Sequence, residues 1–237
     1  MCEKDLGIFI KHDMKWDVQV RNSTSKANRI LGMIKKTFKY LDIHNTSLLY
    51  KALVRPHLEY AISSWSPYSI KDVKELEKVQ RRATRLTPQL RGLSSPDRLS
   101  KMGLSNLQTR RQRGDLIQMF KIVNNFEKVD LINCGYVNAQ NRKYNLRSHN
   151  KSIRREKMRY FQPRFNFLNN RVTALWNKLP IDIVNTQSLN SFKAKLDVWM
   201  ESNVSSGCYL DFCSSCSFNL LLLYYPIGSI GKLVYNK

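Results

Sequence analysis

The sequence predicts a mainly α protein: a helical bundle with a short N-terminal β segment and a basic, partly irregular C-terminal extension. Three observations carry this. Apolar residues recur at spacings of three and four in most windows up to about residue 130. Strand-like patterning is confined to the first few residues, and the stretch 131–165 is polar, basic and poor in period. With 237 residues and 42% apolar side chains, the chain can bury a core of one or two domains. No run approaches the roughly 18 consecutive apolar residues of a membrane span.

Asp5 to Ile10 is a short apolar run around Gly7, expected as a β-strand. From Trp16 the pattern turns helical, with Val20, Ala27, Ile30, Leu31, Ile34 and Phe38 on one stripe. Thr46 is the expected N-cap of a second helix through Leu49, Ala52 and Leu53 to Tyr60. Pro56 lies inside it and should kink or divide it. Ser64 to Pro67 reads as a turn. Ser69 then caps a helix whose buried stripe is Ile70, Val73, Leu76, Val79 and Ala83.

Ser95-Pro96 predicts a cap followed by proline at the first helical position, and Gly103 closes that helix. Ser105 with Gln108 has the form of a capping box. The helix it opens should run to about Asn125, with Leu116, Met119, Phe120 and Val123 inward. A further helix around Val172, Leu175, Trp176 and Leu179 ends at Pro180. Ser188 caps a last one through Phe192, Leu196 and Trp199.

The charge is uneven. Forty Lys and Arg stand against 18 Asp and Glu, a net charge of +22. Residues 71–115 hold twelve Lys/Arg against five acids, and residues 142–171 hold ten against Glu156 alone. The segment 201–237 is neutral. Such self-repulsion implies a polyanionic partner, nucleic acid first and acidic membrane second. Lys78, Arg81, Arg82 and Arg85, with Arg110, Arg111 and Arg113, are expected to lie along two neighbouring helices and track phosphates. In the second basic stretch, Arg154, Arg155 and Arg159 are interleaved with Tyr144, Tyr160, Phe161, Phe165 and Phe167, which suits stacking on unpaired bases. The plainer readings are solvated helix faces for the first set and a local aromatic core for the second.

Constellations for chemistry are not evident. No two acidic residues are adjacent, and no P-loop, GxSxG or HExxH occurs. His12, His44, His57 and His149 are scattered and are expected at the surface or at caps. Cys208, Cys213 and Cys216 form C-x4-C-x2-C, one thiol short of a structural zinc site, and are read as incidental. Five cysteines make no disulfide framework, and Met1 to Asp5 lacks the features of a signal peptide, so an intracellular protein is expected, nuclear or cytoplasmic.

Several ordered blocks resemble one family. They are Leu49-Tyr-Lys-Ala-Leu-Val-Arg-Pro-His-Leu-Glu-Tyr-Ala61, Trp65-Ser-Pro67, Leu76-Glu-Lys-Val-Gln-Arg-Arg-Ala-Thr84, Arg110-Arg-Gln-Arg-Gly-Asp-Leu-Ile117, Leu175-Trp-Asn-Lys-Leu-Pro180 and Ser191-Phe-Lys-Ala-Lys-Leu-Asp197. This order is similar to the region after the catalytic palm in jockey-like non-LTR retrotransposon reverse transcriptases. The resemblance spans about residues 5–200. It implies a helical thumb at 15–130 that grips a template–primer, after the end of a palm-like β segment at 1–14. A basic extension follows at 131–200 and an unrelated tail at 201–237.

The resemblance also implies limits. Such polymerases work with Mg2+ held by palm aspartates, and that motif is missing from this chain. No catalytic residue, metal ligand or cofactor is therefore expected here, and the chain reads as a truncated element copy or a partial gene model. Its implied partners are the backbone of RNA or an RNA–DNA duplex, and the missing palm. Two other readings stay open: a decayed transposon relic without activity, and a helical protein-interaction module.

Overall fold

The computed structural model describes residues 1–129, 149, 151–156 and 162–204. The fold is mainly helical, with one two-stranded sheet at the N-terminus. Met1–Phe192 forms one compact unit and Lys193–Lys237 a second.

Strands β1 (Cys2–Asp5) and β2 (Ile8–Lys11) pair antiparallel, Asp5 opposite Ile8. The expected single strand through Gly7 is thus a hairpin. Leu6 and Gly7 both have positive φ, 43° and 85°, the geometry of a two-residue hairpin turn. Glycine adopts it freely, whereas Leu6 needs help. The Tyr60 hydroxyl supplies it, donating to the Leu6 carbonyl at 2.9 Å.

Helix α1 (Asp17–Thr37) buries Val20, Ala27, Leu31 and Ile34, the stripe expected from spacing. Its Gln19 is also buried, because its side-chain carbonyl accepts from the Phe9 N–H at 3.0 Å and ties the hairpin to the helix.

Helix α2 (Ile43–Leu49) starts four residues before the expected point. Asp42, not Thr46, is the cap: its carboxylate accepts from the Asn45 N–H at 2.6 Å, while Thr46 is buried within the first turn. The helix then widens into a π segment (Tyr50–Val54) before α3 (Arg55–Glu59). Proline cannot donate and its ring crowds the preceding turn. Here the Arg55 N–H reaches back five residues to the Tyr50 carbonyl, and the wider turn gives Pro56 room without breaking the helix.

Helix α4 (Ile70–Thr84) buries Leu76, Val79 and Ala83 as its periodicity requires; Ile70, expected inward, is 54% exposed in the first turn. A 3-10 turn (Pro88–Leu90) leads to α5 (Ser95–Lys101). The α5 cap is Ser94 rather than Ser95, and proline falls at the second helical position. Gly103, with φ +58°, follows α5 as expected.

Helix α6 (Leu107–Val123) starts one residue later than the capping-box reading. Asn106 is the cap, accepting from the Thr109 N–H at 2.7 Å. Gln108 is not the reciprocal partner, because Glu77 of α4 already accepts from the Leu107 and Gln108 N–H groups at 2.8 and 3.3 Å. A cap supplied by another helix leaves no local signature. At the other end Ile122 is buried where Val123 was expected.

The hydrophobic core runs from Ile8 and Trp16 through α1, the π segment, α3 and α4 to Leu107, and includes Trp65. Trp16 and Trp65 lie 6.4 Å apart, tilted. A second group forms where Phe120 stacks on Phe192 at 4.1 Å and Trp176 lies 6.3 Å from Phe192.

The remaining helices are α7 (Gln162–Phe165), α8 (Leu168–Trp176), α9 (Ile181–Val184) and α10 (Leu189–Val204). Pro180 follows α8 as expected, and the Ser188 hydroxyl accepts from the Ser191 N–H at 3.1 Å at the start of α10. Residues 151–156 run along α8: Asn177 exchanges two 2.9 Å hydrogen bonds with the Ile153 backbone, imitating a strand pair. Most of the expected loop at 131–165, and the tail from 205, lie outside the described residues. Among the described residues, no helix is long and apolar enough to cross a membrane.

Candidate nucleic-acid interface

The expected basic residues divide by environment. On α4, Lys78, Arg82 and Arg85 are exposed and Arg81 is half-buried. Lys78 is engaged locally, in an ion pair with Glu75 one turn earlier. Arg82 turns toward α1, where its guanidinium donates to the Asn28 side-chain carbonyl at 3.0 Å. Arg85 and Arg91 have no acid within ion-pair distance among the described residues.

These side chains line a groove of about 470 Å³ between α1 and the C-terminal end of α4. Its cations are Lys35, Arg82, Arg85 and Arg91, and its apolar surface comes from Leu31, Leu41 and Leu86. Among the described residues no acid lines it. Four like charges around one opening repel one another, so the groove favours an anion.

The α6 arginines do not form the second row that spacing suggests. Arg110 donates to the Glu59 carboxylate, which also has Arg55 at 3.8 Å, so its charge is matched on α3. Arg111 is buried and unsuited to phosphate. Its guanidinium lies 4.2 Å over the Trp65 ring and donates to the Leu58 and Trp65 carbonyls at 2.8 and 3.3 Å. Burial first, and then the Arg171 charge, lower its pKa to about 10, still protonated at neutral pH.

Arg111 shares its surroundings with a buried ion pair. Asp115, 6% exposed, accepts two hydrogen bonds from Arg171 of α8, at 2.7 and 2.8 Å. Arg171 also donates to the Ile62, Ser63 and Asn166 carbonyls at 2.9 to 3.0 Å. One guanidinium thereby joins α6, α8 and the loop after α3. Burial pushes the Asp115 carboxyl up, while the Arg171 hydrogen bonds pull it down. The RRxRGD block is thus partly core: Arg111 and Asp115, four apart, face inward together. Arg113 is half-buried.

In the second basic stretch Arg154 is exposed, and Arg155 lies 3.9 Å over the Phe165 ring. That ring is therefore covered by the protein's own guanidinium. Arg159, Tyr144, Tyr160 and Phe161 lie outside the described residues, as do Cys208, Cys213 and Cys216. His149 corrects the expectation of a surface histidine: it is buried, its Nε2 donating to the Trp176 carbonyl at 2.9 Å. Among the described residues, no three His, Cys, Asp or Glu side chains converge as a metal site.

Two of the groove's cations, Lys35 and Arg91, are absent from the residues expected to bind. Lys35 was legible, since Asn28, Leu31, Gly32 and Lys35 recur at helical spacing on one face of α1. Arg91 was not, because the 3-10 turn that returns it to α4 has no strong signature.

Fold and site together define a basic helical protein with a cationic groove that no acid lines among the described residues. No protein-family model matches this chain, and neither a curated protein nor a solved structure matches it.

Proposed function

We propose that the chain is a nucleic-acid-binding fragment of a non-LTR retrotransposon reverse transcriptase, gripping the backbone of RNA or an RNA–DNA duplex without catalysis of its own. The observation that carries this reading is the groove bounded by Lys35, Arg82, Arg85 and Arg91 and, among the described residues, by no acid. Guanidiniums bind phosphate bidentately and release its counterions, which gives affinity with little regard to sequence. The ordered blocks quoted from the sequence supply the thumb analogy and its absent partner, the palm. The proposed setting is intracellular, in the nucleus or cytoplasm, where such duplexes form.

Equilibrium binding to two RNA–DNA duplexes of equal length and unrelated sequence tests it. Backbone gripping gives equal affinities. A ten-fold preference for one sequence contradicts it, and protein cross-links without nucleic-acid retention favour an interaction module.

A further inference from the structure

We propose that the groove between α1 and α4 takes one nucleotide unit of an unpaired strand, with its phosphate on Arg82, Arg85 and Arg91 and its base on the leucine surface. The proposal rests on the nucleic-acid reading and adds the form of the ligand.

The chemistry of the lining argues for it. A duplex presents phosphates outward and keeps its bases stacked, so it has no use for an apolar floor beside the cations. An unpaired nucleotide offers a phosphate and a flat, weakly polar ring within a few ångströms of each other. The groove's lining has both parts: the guanidiniums of Arg82, Arg85 and Arg91, and the apolar side chains of Leu31, Leu41 and Leu86. Its volume of about 470 Å³ falls in the range of small-ligand clefts. Arg82 is already oriented by Asn28, so less ordering is needed on binding. Gly32 keeps the α1 wall low, since a Cβ there would meet nothing within 4 Å.

Gly32 also supplies the test. Replacing it by leucine puts bulk into the groove without removing a charge, and raises helix propensity at an exposed position. Fluorescence anisotropy of the full chain would compare a 12-mer single strand, the same strand with abasic sites throughout, and a blunt RNA–DNA duplex. By filling the space the base would take, Gly32→Leu should weaken the base-bearing single strand roughly ten-fold, and leave the abasic strand and the duplex within about two-fold. Wild type should also bind the abasic strand more weakly than the base-bearing one, a comparison that needs no variant. Equal affinity for the two strands, or an unchanged Gly32→Leu, would overturn the nucleotide-unit proposal while leaving backbone gripping intact. Failure of Arg82→Ala/Arg85→Ala to weaken any ligand would overturn the broader reading as well. Competition by polyglutamate as strong as by the single strand would assign the groove to acidic peptide instead.

Discussion

Two sets of arginines do opposite things. Arg82 on α4 and Arg85 at its end stand at a groove lined by four cations and, among the described residues, no acid. Arg111 and Arg171 meet beside Asp115 at the junction of α6, α8 and the loop after α3, where every charge is spent on the protein. The difference is not residue type or local density of charge. It is what packs around the guanidinium. Arg171 meets the Asp115 carboxylate and Arg111 meets two carbonyls and the Trp65 ring, whereas Arg85 has no acid within ion-pair distance among the described residues.

The sharpest way to break this comparison is to remove the acid. Asp115→Ala leaves two guanidiniums in the interior without their anion, and should cost about 3–5 kcal/mol. Denaturant unfolding would read this as a lower midpoint; a loss under 1 kcal/mol would mean the junction is not the brace described. The converse change is Arg82→Ala/Arg85→Ala. It should leave the melting temperature unchanged and weaken duplex binding roughly ten-fold at moderate salt. A melting shift as large as that of Asp115→Ala would erase the distinction.

Glu77 offers a smaller test of how α4 holds α6. Glu77→Ala removes the acceptor of two first-turn N–H groups and should cost about 1 kcal/mol. Burial, the larger influence, raises the Glu77 carboxyl above the ordinary carboxylate range, against the two N–H groups that lower it. Across the interval between its unfolded and folded pKa the native state holds more protons, so this group makes stability fall as pH rises. Glu77→Gln keeps an acceptor and should remove that slope, measurable as unfolding midpoints from mildly acidic to neutral pH. Lys78→Ala, which removes an exposed cation already paired with Glu75, should change neither stability nor binding measurably.

Helix periodicity was the most readable part of the sequence, because the buried stripes of α1 and α4 are local in spacing. Caps were less readable. Asp42, Ser94 and Asn106 each stand next to or near another plausible cap, and Glu77 caps from a separate helix. At the site, Arg82 and Arg85 were legible from their position opposite the buried stripe. Arg111 was not, since the carbonyls and Trp65 ring that bury it come from 46 and 53 residues away. Lys35 needed only a reading of α1 by face, whereas Arg91 needed the path of a turn.

The most direct measurement is the salt dependence of binding to a 20-base-pair RNA–DNA duplex, for wild type and for Arg82→Ala/Arg85→Ala. A steep negative slope of log affinity against log salt is expected for wild type, shallower by about 2 in the double variant. Slopes that are equal in the two proteins, or near zero in wild type, would contradict phosphate gripping by this groove.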